Sequence, residues 1–475
     1  MPEINEKAIG LTILAFNAII GMLFFHLDDS DYFSVTTILA CISALTSIYI
    51  NRDNILYLLR TVIIAWVGLI PVLAIIQDSL FSARMIYVQT REVGWIFSIV
   101  VCSTLLSSQI GFVLASKIKF RTTKNIDLRR NPKLVLLAIF LVIIFAGSLV
   151  AQQRGSIVFY SAYASAEQSR EEMSVQNLQA VCSILLAFSF IIINRVISYN
   201  GLLFGATFNR YSLIFAFEVV YVTIWTQFLR GARMDPLGIF LEIFVLYKTI
   251  HNKEMSLSIK QLLVALLAVL ILQAWGIVRT LGSAGVSIDN IVQILNKDVR
   301  EIGGVAVMYY QGTFNDISVG TAGIINAVQK GLVGFWYGES YLDFILRIPP
   351  SFLYPERPKS LAWLIEDIYN DWHGGGINEM GEIFLNFGIY GSLFVPAIIS
   401  FIIGWSYRRH LSNPLNIWVS LPFIGILALY IQGLLYQTFN SFRAYTTIIV
   451  IYSCLRLFYE VVTYASEPTP TLEKH

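Results

Sequence analysis

Long apolar runs separated by short polar connections recur along nearly the whole chain. Many of them reach or approach the roughly 20 residues that carry a helix across about 30 Å of hydrocarbon. They predict spans near 8–27, 33–50, 56–76, 94–115, 133–151, 175–196, 211–229, 236–250, 260–278, 389–407, 416–435 and 443–462. The expectation is an all-α polytopic membrane protein, a single integral membrane domain over 1–475. The first run is as long as a full span and lacks a small-residue cleavage site, so it reads as a retained span and not a cleaved leader.

One interval breaks the pattern. Between 280 and 388 the apolar positions become periodic: Ile291, Leu295, Val299 and Ile302 follow Asp289 at helical spacing. Leu361, Leu364, Ile365, Ile368, Tyr369 and Trp372 make a second stripe among charged residues. Both read as amphipathic helices lying on the bilayer or capping the spans. Between them Pro349, Pro350, Pro355 and Pro358 exclude a regular helix and hold Arg347 and Arg357 on a stiff extended segment. This long loop lies between the ninth and tenth spans.

Charge orients the spans. The connection after the fourth span carries Lys117, Lys119, Arg121, Lys124, Arg129, Arg130 and Lys133, whereas the first connection carries acids and no Lys or Arg. The positive-inside bias then puts both termini in the cytoplasm and the 280–388 loop outside. Arg52, Arg60, Arg195, Arg210, Lys248, Lys253, Arg408 and Arg409 count with the inner cations. Composition agrees: 56% of residues are apolar and 13% charged, against about 25% charged in soluble domains. A net charge of +2 gives no reason to invoke nucleic acid. Cys41, Cys102, Cys182 and Cys454 each sit alone in an apolar segment and read as small buried hydrophobes.

The candidate chemistry gathers at the outer ends of the spans. Arg230, Arg233, Arg279, Arg347 and Arg443 stand there against the positive-inside trend. A guanidinium remains protonated and matches phosphate oxygens in a bidentate fork, so five together point to a bound anion, although any one could simply reach lipid headgroups. Tyr160 and Tyr163, in the 152–174 loop, could line a sugar groove or belong to an interfacial aromatic belt. His373 precedes Gly374, Gly375 and Gly376, and Asn378, Glu379 and Glu382 follow. Glycines allow close backbone approach to a ligand, and a histidine or carboxylate can serve as a general base. The plainer alternatives are a surface imidazole and solvated acids in a helix's first turn.

The order LRGARMDP before the eighth span, ILRIPPSFLYPERP in the long loop, then HGGG and GEIFLNFGIYG leading into a span resembles the bacterial Wzy-type oligosaccharide repeat-unit polymerases, which include the O-antigen and enterobacterial common antigen polymerases and are related to O-antigen ligases. The motifs cover the last half of the chain; the first half agrees by topology alone. The resemblance implies a metal-independent, inverting GT-C-type glycosyltransferase in the bacterial inner membrane, its active site facing the periplasm. It needs no cofactor. Donor and acceptor would both be glycans on undecaprenyl diphosphate, with a chain-length regulator as a further membrane partner. By position Arg230, Arg233, Arg279, Arg347 and Arg443 would hold the diphosphate, and His373, Glu379 or Glu382 would act as base. Arg357, Tyr160, Tyr163 and Asn378 would contact the glycan. Gly374 stands where ligases often carry Asn, which opens the base role to either glutamate.

Three other readings compete. A ligase would use the same donor with lipid A core as acceptor. A metal-dependent transferase could use Asp28, Asp29 and Asp31 in the first outer loop. A lipid-linked oligosaccharide flippase would need polar groups along a mid-membrane path, for which Glu218 and Glu242 are the main intramembrane acids.

Overall fold

A computed structural model describes residues 2–27, 33–76, 91–120, 139–140, 143–144, 182–194, 210–223, 234–258, 260–261, 313–347, 377–428, 430–435 and 453. These residues are helical or connect helices; no strand occurs among them. The helices are α1 (Pro2–Leu27), α2 (Phe33–Asn51), α3 (Ile55–Ile76), α4 (Arg91–Ser116), α5 (Cys182–Asn194), α6 (Arg210–Tyr221), α7 (Met234–Ile250), α8 (Thr313–Gln329), α9 (Glu339–Arg347), α10 (Glu379–Ser412), α11 (Ile417–Ala428) and α12 (Tyr430–Leu435). Among the described residues four helical stretches are long and apolar enough to cross a membrane: Glu6–Phe25, Ser34–Asn51, Gly94–Ser116 and Glu379–Ser412. The chain is an all-α membrane protein.

α4 is the centre of the bundle. It packs against α1, α2, α3 and α10, and its most extensive contact is with α10. Trp95, Phe97, Ile99, Val100 and Leu105 are all buried there. Close approach is possible because Gly111 has no side chain. A Cβ at that position would run into the Ala397 carbonyl oxygen and lie 2.9 Å from the Phe401 amide nitrogen, both backbone atoms of α10.

α10 is two helices, not one. Gly388 breaks it with φ 61° and ψ −155°, a conformation essentially confined to glycine. The two arms, α10a (379–387) and α10b (389–412), fold back along each other. A Cβ at Gly391 would stand 3.2 Å from the carbonyl oxygen of Ile383, eight residues earlier. Along a straight helix those residues would be about 12 Å apart. The reversal exposes the last carbonyls of α10a, and the loop before α9 satisfies them: Trp336 N–H donates to Leu385 O at 3.0 Å and Tyr337 N–H to Asn386 O at 2.9 Å. α10b alone retains 24 residues, about 36 Å of helix, enough to span the hydrocarbon.

Pro396 removes a backbone donor from α10b, and the helix also opens at the next residue. There the Ser107 hydroxyl of α4 steps in. It donates to Leu393 O at 2.7 Å and accepts from Ala397 N–H at 2.9 Å, taking the place of a turn of helix hydrogen bonding.

α8 and α9 lie in the long 280–388 segment but outside the two stripes read from its sequence, which fall outside the described residues. α8 packs against α3, α4 and α10. Its Thr321 Cα would be 3.2 Å from a Cβ at Gly381, so a small residue on α10a lets α8 seat closely.

Candidate functional site

The residues that follow the glycine run begin α10a. Asn378 is its N-cap: the side-chain oxygen accepts from Met380 N–H at 3.0 Å, which satisfies one of the free donors of the first turn. Its amide nitrogen donates to Leu434 O on α12, and its backbone N–H donates to Thr321 Oγ1 on α8 at 3.1 Å. Asn378, expected to contact glycan, thus ties three elements together. Glu379 and Glu382 occupy the first turn, where the helix dipole favours negative charge. They are not solvated acids: Glu379 is 2% exposed and Glu382 1%.

Glu379 is held by an arginine from α3. Arg60 Nη1 donates to Glu379 Oε2 at 2.7 Å and Nη2 to Oε1, a bidentate pair, while Nε donates to Ser400 Oγ on α10b at 3.0 Å. One guanidinium therefore joins α3 to both arms of α10. In a continuous helix Glu379 and Ser400 would stand about 31 Å apart, so this contact by itself requires the reversal at Gly388. Arg60 is 1% exposed. The sequence counts it among inner-loop cations; the structure places its side chain within the bundle, where a charge survives only if paired and hydrogen-bonded.

Glu382 belongs to a second set. Ser340 Oγ on α9 donates to Glu382 Oε1 at 2.9 Å, and Asn386 Nδ2 donates to Ser340 Oγ and to Glu382 O, each at 2.7 Å. Asn386 Oδ1 accepts from Gly338 N–H at 3.0 Å, which fixes the start of α9. Tyr341 lies beside this set, its ring stacked on Phe387 with centroids 6.2 Å apart. Its hydroxyl is buried without a hydrogen-bond partner among the described residues. Burial first, and then the charges of Glu382 and Glu379, push the phenol well above its ordinary pKa, so it stays a neutral O–H.

The two carboxylates thus differ in kind. Both oxygens of Glu379 are committed to a fixed cation, which makes it a structural anion. Glu382 accepts a hydrogen bond from the Ser340 hydroxyl, a contact that a substrate hydroxyl can replace.

Of the remaining sequence candidates, Arg347 closes α9, and only its backbone is described. His373, Arg230, Arg233, Arg279, Arg357, Arg443, Tyr160 and Tyr163 lie outside the described residues, as do Asp28, Asp29 and Asp31. Among the described residues no group of three His, Cys, Asp or Glu could hold a metal ion. Cys102 and Cys182 are buried free thiols, in keeping with their reading as small hydrophobes. Glu218 on α6 and Glu242 on α7 are fully buried, each with a serine hydroxyl of α5 beside it, Ser189 and Ser183 respectively.

Sequence reasoning missed Arg60, Ser340, Asn386 and Tyr341. For Arg60 a signal existed: it is the single charge inside the apolar run ILYLLRTVIIAW, and an intramembrane charge implies a partner. Ser340, Asn386 and Tyr341 carry no such mark, because their roles depend on α9 folding onto α10a. No protein-family model, curated protein or solved structure matches this chain.

Proposed function

We propose that the protein is a glycosyltransferase that polymerises undecaprenyl-diphosphate-linked oligosaccharide repeat units at the periplasmic face of a bacterial inner membrane, in a chain of about 12 spans of GT-C type. The observation that carries the reading is the division of labour between two neighbouring carboxylates directly after the HGGG motif. Arg60 grips both carboxylate oxygens of Glu379, and Glu382 accepts from the Ser340 hydroxyl.

In the reaction the acceptor hydroxyl takes the position of the Ser340 hydroxyl and gives its proton to the Glu382 carboxylate. Its oxygen forms a bond to the donor's anomeric carbon on the face opposite the leaving group, inverting that centre. The bond from carbon to phosphate oxygen breaks, and the diphosphate leaves with the electron pair. The arginines placed by the sequence motifs, Arg230, Arg233, Arg279, Arg347 and Arg443, stabilise that developing charge. His373, six residues before Glu379, is the second proton acceptor within sequence reach. α9 covers Glu382, so substrate reaches it only when α9 shifts.

The test uses purified protein with a defined undecaprenyl-diphosphate repeat unit in the presence of EDTA. A ladder of longer lipid-linked glycans on a gel, lost in Arg233→Ala, is the expected result. Transfer only after lipid A core is added would make the protein a ligase. Movement of the carrier across liposomes without any transfer would make it a flippase.

A further inference from the structure

α9 is amphipathic in the inverted sense. Its inward side carries the polar contacts: Ser340 is buried and bonded to Glu382 and Asn386. Its outward side carries Leu342, 62% exposed, and Leu346, 47% exposed, one turn apart, after the exposed Glu339 of the first turn. The turn that leads into it presents Leu332, Phe335 and Tyr337, also exposed. A helix on a water-covered surface has the opposite arrangement, and an exposed patch of large apolar side chains marks an interaction surface.

The neighbourhood of the patch identifies what covers it. On α10b, which is long enough to span the bilayer, Tyr390, Phe394 and Ile398 form an exposed stripe at helical spacing, with Phe387 just before the Gly388 break. Phe387 connects that stripe to α9: Tyr341 stacks on it, and its ring would stand 3.2 Å from a Cβ at Gly338. Phe335 packs on the far side of the same reversal, 3.1 Å from where Gly388 would carry a Cβ. The apolar surface therefore continues from a spanning helix, over the α10 hairpin and onto α9, with Glu339 the exposed charge at the first turn of α9. Exposed Lys330 precedes this stretch, a cation able to reach headgroup phosphates.

We infer that the 332–346 stretch is embedded in the membrane, with Leu332, Phe335, Tyr337, Leu342 and Leu346 covered by the lipid hydrocarbon of the leaflet at the Gly388 end of the bundle. Lipid, and not a soluble partner, is the occupant because the patch continues a surface that the bilayer already wets. This part of the long loop is then a re-entrant element of the membrane domain. The buried Glu382–Ser340–Asn386 set lies directly beneath it, a placement that holds whatever reaction the site performs.

The test places an environment-sensitive fluorophore on single cysteines, Leu342→Cys, Leu346→Cys and Lys330→Cys, in the full chain with its native cysteines replaced, reconstituted in phosphatidylcholine–phosphatidylglycerol nanodiscs. The expected result is that doxyl-labelled lipid quenches the Leu342 and Leu346 probes severalfold more than aqueous iodide does, with the reverse order at Lys330. Stronger quenching by iodide at both leucines would overturn the inference. So would protection from both quenchers together with disulfide-linked dimers of the Leu342→Cys chain, since a second copy would then be the cover. Hydroxyl-radical footprinting of the unsubstituted protein in the same nanodiscs needs no variant that folds. Protection of Tyr337, Leu342 and Leu346 is expected, and oxidation at the level of a water-exposed loop would overturn the inference.

Discussion

Replacing Arg60 with methionine leaves Glu379 as an uncompensated charge in a site where 2% of the residue meets solvent. The guanidinium supplies two charge-assisted hydrogen bonds to the carboxylate and one to Ser400, so a single substitution removes every link between α3 and the two arms of α10 at this level. Removing one partner of a buried pair costs about 3–5 kcal/mol, largely because the remaining charge is stranded. Glu379→Met strands the arginine and carries a similar cost. Replacing both with apolar residues removes the stranded charge and is often close to neutral. The double variant Arg60→Met/Glu379→Met is therefore expected to lose at least about 3 kcal/mol less than the sum of the two single losses, more than a hundredfold in the unfolding equilibrium. Equilibrium unfolding in mixed lipid–detergent micelles, followed by circular dichroism and tryptophan fluorescence, measures all three variants against the parent. Single losses below about 1 kcal/mol, or a double loss equal to their sum, would show that the pair does not close the bundle.

Three further substitutions probe the same architecture. Gly388→Ala forces a side chain into φ 61°, ψ −155° and against the Phe335 ring; a loss of about 1–3 kcal/mol or more is expected in the same unfolding experiment, and a neutral result would argue against the helix reversal. Ser107→Ala leaves Leu393 O and Ala397 N–H without their shared partner beside Pro396, an expected cost of about 1–3 kcal/mol, whereas Ser107→Thr, which keeps the hydroxyl, should recover part of it. Tyr341→Phe removes a buried hydroxyl that has no partner among the described residues, so stability should stay the same or rise by up to about 1 kcal/mol; a clear loss would mean that the hydroxyl is bonded in the folded protein.

The spans at the front of the chain were legible because hydropathy reports them directly. Runs read at 33–50 and 94–115 become α2 (Phe33–Asn51) and α4 (Arg91–Ser116), their ends displaced by a few residues. The reversal at Gly388 was not legible. GEIFLNFGIYG has the hydropathy of a helix entering the membrane, and a single glycine does not announce a left-handed backbone. α8 was missed for a related reason: TFNDISVGTAGIINAVQ is too rich in small and polar residues to score as a span, yet it seats closely on α10a, at Gly381. The acids at 379 and 382 could be found from sequence, but the difference between them could not. That difference comes from an arginine 319 positions away and from a serine on a helix that the apolar pattern does not mark.

The measurement that bears most directly on the proposed chemistry compares Glu382→Gln with Glu379→Gln in the lipid-linked repeat-unit assay, each variant first matched to the parent by size-exclusion profile. Loss of a general base lowers turnover by about 10²–10⁴-fold. Glu382→Gln is expected to fall in that range with little change in acceptor KM, and Glu379→Gln to show its main loss in folded yield. Ladder formation by Glu382→Gln at the parental rate would contradict the assignment of Glu382 as the base. A parent protein that forms no ladder would contradict the polymerase reading itself.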